Sequence, residues 1–250
     1  MKITKLSWAG LMLQSGNTTL YIDPLQNLDV IAPFVGVPKF PALPVPIPDK
    51  GQANVLITHI HADHYDELLL KNLVGDTGLL WGPEPVLKKA LQANIKAAAA
   101  RLYDTFYAGD FKITPVPAVD WVGEDQVSYV ITDGKKTIFH GGDTNWHGYW
   151  WAIAERFGPF DAAFLPVNGV VGALPGQDII SDMSGTMNPA QAVMAARILN
   201  AGCLIPIHYA QFNSPPNYTE LPEVDQSLDI AGKKHHVAIK RLKDGEIIDI

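Results

Sequence analysis

The stretch from Val55 to His64 narrows what this chain can become more than any other part of it. Val55-Leu56-Ile57-Thr58 is an aliphatic and β-branched run that reads as a buried strand, and it leads directly into His59-Ile60-His61-Ala62-Asp63-His64. Three imidazoles and a carboxylate packed into six residues are costly to bury unless each finds a partner. In an extended segment His59 and His61, two apart, present their rings to the same side. Asp63 and His64 follow where the chain would turn, so they can face a second ion nearby. A solvated histidine-rich loop does not account for that spacing.

Around this run the chain reads as short strands interleaved with helices. Ile3 to Trp8, Thr18 to Ile22 and Leu79 to Trp81 have strand character, as do Phe111 to Val116, Ser128 to Thr132 and Thr137 to His140, with Asp133-Gly134 as a hairpin turn. Ala162 to Val167, Leu204 to His208, Val237 to Leu242 and Glu246 to Ile250 read as later strands. Helices are expected from Glu84 to Ala100, from Tyr149 to Phe157, and from Asn188-Pro189 to about Asn200, where Asn caps and Pro takes the first helical position. Strands and helices alternating in both halves predict an α/β sandwich, two sheets face to face with helices outside.

The 250 residues are read as one domain, 1–250, with two segments outside its regular pattern. Leu28 to Pro48 carries six prolines among apolar residues. It is either a loop packed on its own body or on a second subunit, or an apolar flap beside the active site. Gly169 to Gly185 is Gly-rich and holds Asp178 and Asp182; long irregular loops in compact domains are usually functional. With 26 acidic against 19 basic side chains the net charge is −7, which argues against general affinity for nucleic acid or anionic membrane. No run of about 18 apolar residues predicts a spanning helix. The start lacks the apolar core of a signal peptide, and Cys203 is the only cysteine, so a cytoplasmic location without disulfides is the simplest reading.

The His-x-His-x-Asp-His run after a strand resembles the signature of the metallo-β-lactamase superfamily, and further landmarks fall in order along nearly the whole chain. Gly142-Asp143-Thr144 is similar to the family's Gly-Asp-Thr, and Ile205-Pro206-Ile207-His208-Tyr209 to the late strand that delivers its last histidine. Gly16 to Pro24 and Leu165-Pro166-Val167-Asn168-Gly169 resemble the branch of ascorbate-phosphate lactonases and N-acyl phospholipase D-type enzymes. The resemblance implies a four-layer αββα sandwich holding two divalent ions, zinc or manganese, with iron also compatible. It places His59, His61 and Asp120 on the first ion, Asp63, His64 and His208 on the second, and Asp143 between them. Asp120 departs from the pattern: it follows Pro117-Ala118-Val119 where the family carries a third histidine, which shifts the donor set toward harder metals.

The chemistry so implied is a metal-activated hydroxide attacking a small ester, lactone or phosphoester, with Asp63 orienting it or passing on its proton. Asn168, His147 and Trp121 are candidate substrate contacts; Asn-Gly is also an ordinary turn, and Trp121 is either a pocket wall or a core aromatic. His140 reads as a hydrogen-bonded core histidine, His235 and His236 as solvated, and Cys203 as an apolar filler. The expected partner is a small-molecule substrate, with no nucleic acid, and the apolar insert leaves room for a homo-oligomer. The alternative from another class is a non-catalytic ligand-binding module that keeps the fold with an impaired first metal site.

Overall fold

The computed structural model describes residues 1–48, 53–173 and 181–250. The chain opens as a meander of β1 (Lys2–Lys5), β2 (Leu11–Ser15) and β3 (Thr18–Ile22). Its register sets Ile3 beside Leu13 and Leu13 beside Leu20, so one face is a row of buried aliphatics. β4 (Asn54–Leu56), β5 (Leu79–Gly82) and β6 (Ala97–Ala99) then add in parallel.

The second sheet has the same two-part construction. β7 (Phe106–Ala108), β8 (Phe111–Pro117), β9 (Val127–Thr132) and β10 (Thr137–His140) run antiparallel, and β11 (Ala162–Pro166) and β12 (Leu204–Ile207) extend it in parallel. β13 (Ile247–Asp249) returns to the first sheet beside β1.

The helices are α1 (Ala32–Val35), α2 (Glu67–Val74), α3 (Glu84–Gln92), α4 (Trp150–Phe157), α5 (Pro189–Ile198) and α6 (Val224–His235). Between the sheets, Leu11, Leu13 and Ile22 meet Phe111, Tyr129 and Phe164 in one core. Leu70 and Leu73 of α2 and Val86 of α3 cover the outer face of the first sheet, while Trp150, Val193 and Leu228 of α4, α5 and α6 cover the second. The result is the mixed α/β architecture expected, two sheets flanked by helices.

Several elements differ from the reading of the sequence. The expected helix from Glu84 to Ala100 ends at Gln92, because Asn94 takes a left-handed conformation (φ 58°) and Ala97–Ala99 pairs with Leu80–Gly82. Edge pairing there overrides the helix propensity of alanine. The first strand stops at Lys5, and β2 was not anticipated. Neither were α2, capped by Asp66, nor α6. Val237 to Leu242 is not a strand; Ile239 alone bridges Leu204.

The proline-rich insert carries a 3-10 turn at Leu28–Val30 and then α1, with Pro33 in its first turn, where a missing N–H is tolerated. Residues 36–48 have no regular secondary structure. Of the Gly-rich segment 169–185, residues 174–180, Asp178 among them, lie outside the described residues. Among the described residues no helix is long and apolar enough to cross a membrane.

Candidate metal centre

The parallel strands deliver the site. His59 follows β4, Asp143 follows β10 and His208 follows β12, each just past the carboxyl end of its strand, where open α/β sheets form their ligand crevices. The two sheets are stitched together at this edge by Val127 N donating to Thr58 O at 3.0 Å. Gly142 is required by its left-handed φ of 63° and by the approach of Thr58 Oγ1, 2.9 Å from where a Cβ would stand. Thr144 is buried, and its hydroxyl accepts from Val119 N at 2.8 Å, holding the loop that carries Asp120.

Six side chains form three overlapping groups whose donor atoms lie within 4.8 Å of one another: His59, Asp63 and His64; His59, His61 and Asp143; His64, Asp143 and His208. Asp143 belongs to two of them, its Oδ2 3.4 Å from His59 Nε2 and 3.9 Å from His208 Nε2. Asp120 stands just outside these groups, with Oδ1 3.8 Å from His61 Nε2. Its Oδ2 accepts from Val122 N and Glu124 N at 2.7 and 3.2 Å, whereas Oδ1 is buried without a protein partner.

The same signature recurs around the site. His59 Nε2, His64 Nε2 and Asp143 Oδ1 are buried and unpartnered, while the opposite ring nitrogens of both histidines are anchored. Buried polar atoms in folded chains are almost always satisfied, so these atoms, drawn from the overlapping groups above, fit divalent cations taking nitrogen and oxygen donors.

Three residues that the sequence reading assigned no role complete the centre. Asp23, at the end of β3 with φ 43°, has Oδ2 2.8 Å from His64 Nδ1 and 2.7 Å from Thr58 Oγ1, which donates to it. Thr58 Oγ1 in turn lies 3.0 Å from His59 Nδ1, so one carboxylate orders two imidazoles. Trp8, at φ 60°, donates its indole N–H to Asp63 Oδ2 at 3.0 Å and packs its ring 4.0 Å from that of His208. Tyr218 Oη accepts from Asn168 Nδ2 at 2.8 Å, which leaves its own O–H to donate elsewhere. Asp23 stands in the strand-end Ile22-Asp23-Pro24 already noted; Trp8 and Tyr218 carry no local signal of this kind.

Electrostatics follow from the packing. Burial would raise the carboxyls of Asp63 and Asp143, but the imidazoles beside them outweigh it and hold both well below the usual range. Burial would likewise lower His64, yet Asp63 and Asp23 push it up to about 9. His140, lowered by burial, is a core group whose Nε2 meets Ala9 O at 2.9 Å.

A cavity of about 330 Å³ opens on this cluster. His61, Asp63, Asp143 and His208 form its floor, and Trp121, Val122, Tyr218 and the insert residues Ile31, Phe34 and Val35 form walls. Trp121 is thus a wall, lying against the bare backbone of Gly185, where a Cβ would come within 2.1 Å of the indole. The other two candidate contacts lie elsewhere. Asn168 is fully buried and does not line the cavity, because its amide is engaged by Tyr218 and Thr186. His147 is stacked 4.0 Å from Trp150, and burial lowers it to about 4.

Comparison with known proteins bears on the family and the fold. A family profile described as a Beta-lactamase superfamily domain matches residues 18–209. The chain is 25% identical over 261 residues to a UPF0173 metal-dependent hydrolase of Methanoculleus marisnigri, covering 98% of this chain and 96% of that one. It is 28% identical over 249 residues to a relative of the same description from Pyrococcus furiosus, covering 94% and 97%. Among solved structures, an isothiocyanate hydrolase from Delia radicum gut bacteria superposes with a TM-score of 0.75 at 20% identity, over 100% of this chain and 99% of that one, a likeness of fold.

Proposed function

The chain belongs to the β-lactamase superfamily as a metal-dependent hydrolase, and from that premise we propose that it holds two divalent ions and opens a small ester, lactone or phosphoester. The observation that carries the reading is Asp143, whose carboxylate is shared between the His59–His61 group and the His64–His208 group. A single carboxylate between two imidazole sets is the arrangement that holds two cations side by side.

In this reading His59, His61 and Asp120 hold one ion, Asp63, His64 and His208 the other, and Asp143 bridges. Divalent ions bound there supply Lewis acidity and an acidified water, and zinc or manganese suits the donors. The protein's own groups do the rest. Asp63, kept ionised by its imidazole neighbours and aimed by the Trp8 indole, would take a proton from the attacking water and pass it to the leaving oxygen as the bond breaks. Tyr218, whose oxygen is tied to Asn168, points its hydroxyl hydrogen toward the polar end of the substrate. The apolar walls exclude water from the bond that is cut.

Elemental analysis of the purified chain after incubation with zinc or manganese tests the ion count, and a screen of esters, lactones and phosphoesters tests turnover. About two ions per chain, with hydrolysis lost on chelation and in His59→Ala, are expected. One ion or none, without turnover, would leave the binding-module alternative standing.

A further inference from the structure

The cavity above the cluster is lopsided in its chemistry. Among the described residues, every ionisable side chain lining it belongs to the cluster on the floor or is the tyrosine Tyr218, and no lysine or arginine lines it. The arginines are engaged elsewhere or exposed. Arg241 binds Asp225 and Asp229 at 2.6 and 2.9 Å, Arg197 lies 3.3 Å from His235, Arg156 sits over the Tyr103 ring, and Arg101 faces solvent.

Away from the floor the lining is mostly apolar, with Thr186, Asn217 and Tyr218 as its uncharged polar groups. Phe34 of α1 leans over the opening while 53% exposed, and Val122 is 42% exposed. Trp121 is laid against Gly185 as a flat panel. These side chains keep apolar surface in water in the absence of a ligand, which a bound apolar group would remove. At about 330 Å³ the space is in the range of small-molecule sites.

We infer that the substrate is a small molecule whose uncharged, apolar body lies against Phe34, Val35 and Trp121 while its reacting polar group faces Asp63 and Asp143. This deepens the hydrolase reading and rests on it. A substrate with a carboxylate or phosphate on its distal arm would bring charge against these walls with no lysine or arginine to meet it, and burying an unpaired charge is unfavourable. Esters and lactones with short alkyl or aryl arms meet the same walls with apolar surface.

The test uses the full chain loaded with zinc or manganese. kcat/KM is measured on the 4-nitrophenyl esters of acetate, butyrate and hexanoate and on the mono-4-nitrophenyl ester of adipate. We expect a rise of about threefold for each added methylene until the cavity fills. Roughly a tenfold fall from hexanoate to adipate should accompany it, and Phe34→Ala should flatten the rise. A flat series in the unaltered chain, or preference for the adipate ester, overturns the inference.

Calorimetric titration with N-hexylacetamide and 6-acetamidohexanoate separates this result from failure of the hydrolase reading. Tighter binding of the uncharged amide upholds the inference whether or not anything is hydrolysed, and equal or reversed affinities overturn it. Absence of turnover on every ester, with two ions bound, counts against the hydrolase reading alone.

Discussion

His64 Nδ1 lies 2.8 Å from Asp23 Oδ2, and both side chains are fully buried. The contact fixes which ring nitrogen of His64 faces the cluster, and through Thr58 the same carboxylate also sets His59. An amide at position 23 keeps an oxygen but loses the charge and turns donors toward groups that already donate. Asp23→Asn is therefore expected to weaken metal binding by about 10- to 100-fold. Competition with a chromogenic chelator reads this directly; unchanged affinity would show that the imidazoles orient themselves.

Trp8 acts on the other side of the centre. Its indole N–H reaches Asp63 Oδ2 at 3.0 Å, while its ring packs 4.0 Å from that of His208. Trp8→Phe retains an aromatic ring against His208 and removes only the donor. The expected result is a fall in kcat of about tenfold, with the thermal midpoint of the metal-free chain little changed. Equal losses of midpoint and kcat would assign Trp8 to packing instead.

How far the sequence reached follows from where the information lies. His59, His61, Asp63 and His64 were legible because one strand and one turn present them together. Asp143 and His208 were found through resemblance to a family pattern, each at the end of its own strand. Trp8 and Asp23 could not be read this way, since their roles depend on contacts 55 and 41 residues along the chain. Ala97–Ala99 was misread because alanine favours helices locally, whereas the free edge of β5 decides its conformation. Asn168 was expected to reach substrate; its position after β11 was right for that, but Tyr218 and Thr186 take up its amide.

Acid stability can be traced to Asp161. Burial alone would raise its carboxyl, but Lys136 Nζ at 2.7 Å and Thr137 N at 2.8 Å outweigh it and hold the folded pKa below the usual carboxylate value. The unfolded chain therefore binds this proton more readily. The stabilisation is fully present above the unfolded pKa and is lost as pH falls through the folded one. Because the pair is partly exposed, its worth is set at only about 1 kcal/mol. Urea midpoints of the unaltered chain and Asp161→Asn should differ most near pH 7 and converge toward pH 2. A difference that persists undiminished in acid would sink the assignment.

The proposed first ion site turns on Asp120. Its Oδ2 is held by Val122 N and Glu124 N, so the side chain is fixed before any metal arrives, and Oδ1 is left buried 3.8 Å from His61 Nε2. Asp120→Asn can keep the two backbone bonds through its amide oxygen, so the loop should stay in place. What changes is the group facing His61, which becomes an uncharged donor with little affinity for a cation. Ion content should then fall from about two per chain to about one, with kcat/KM falling by at least about tenfold. Circular dichroism of the variant checks that the fold is kept. Two tightly bound ions in Asp120→Asn would mean that His59, His61 and Asp143 suffice for the first ion, and that Asp120 serves only the turn it caps.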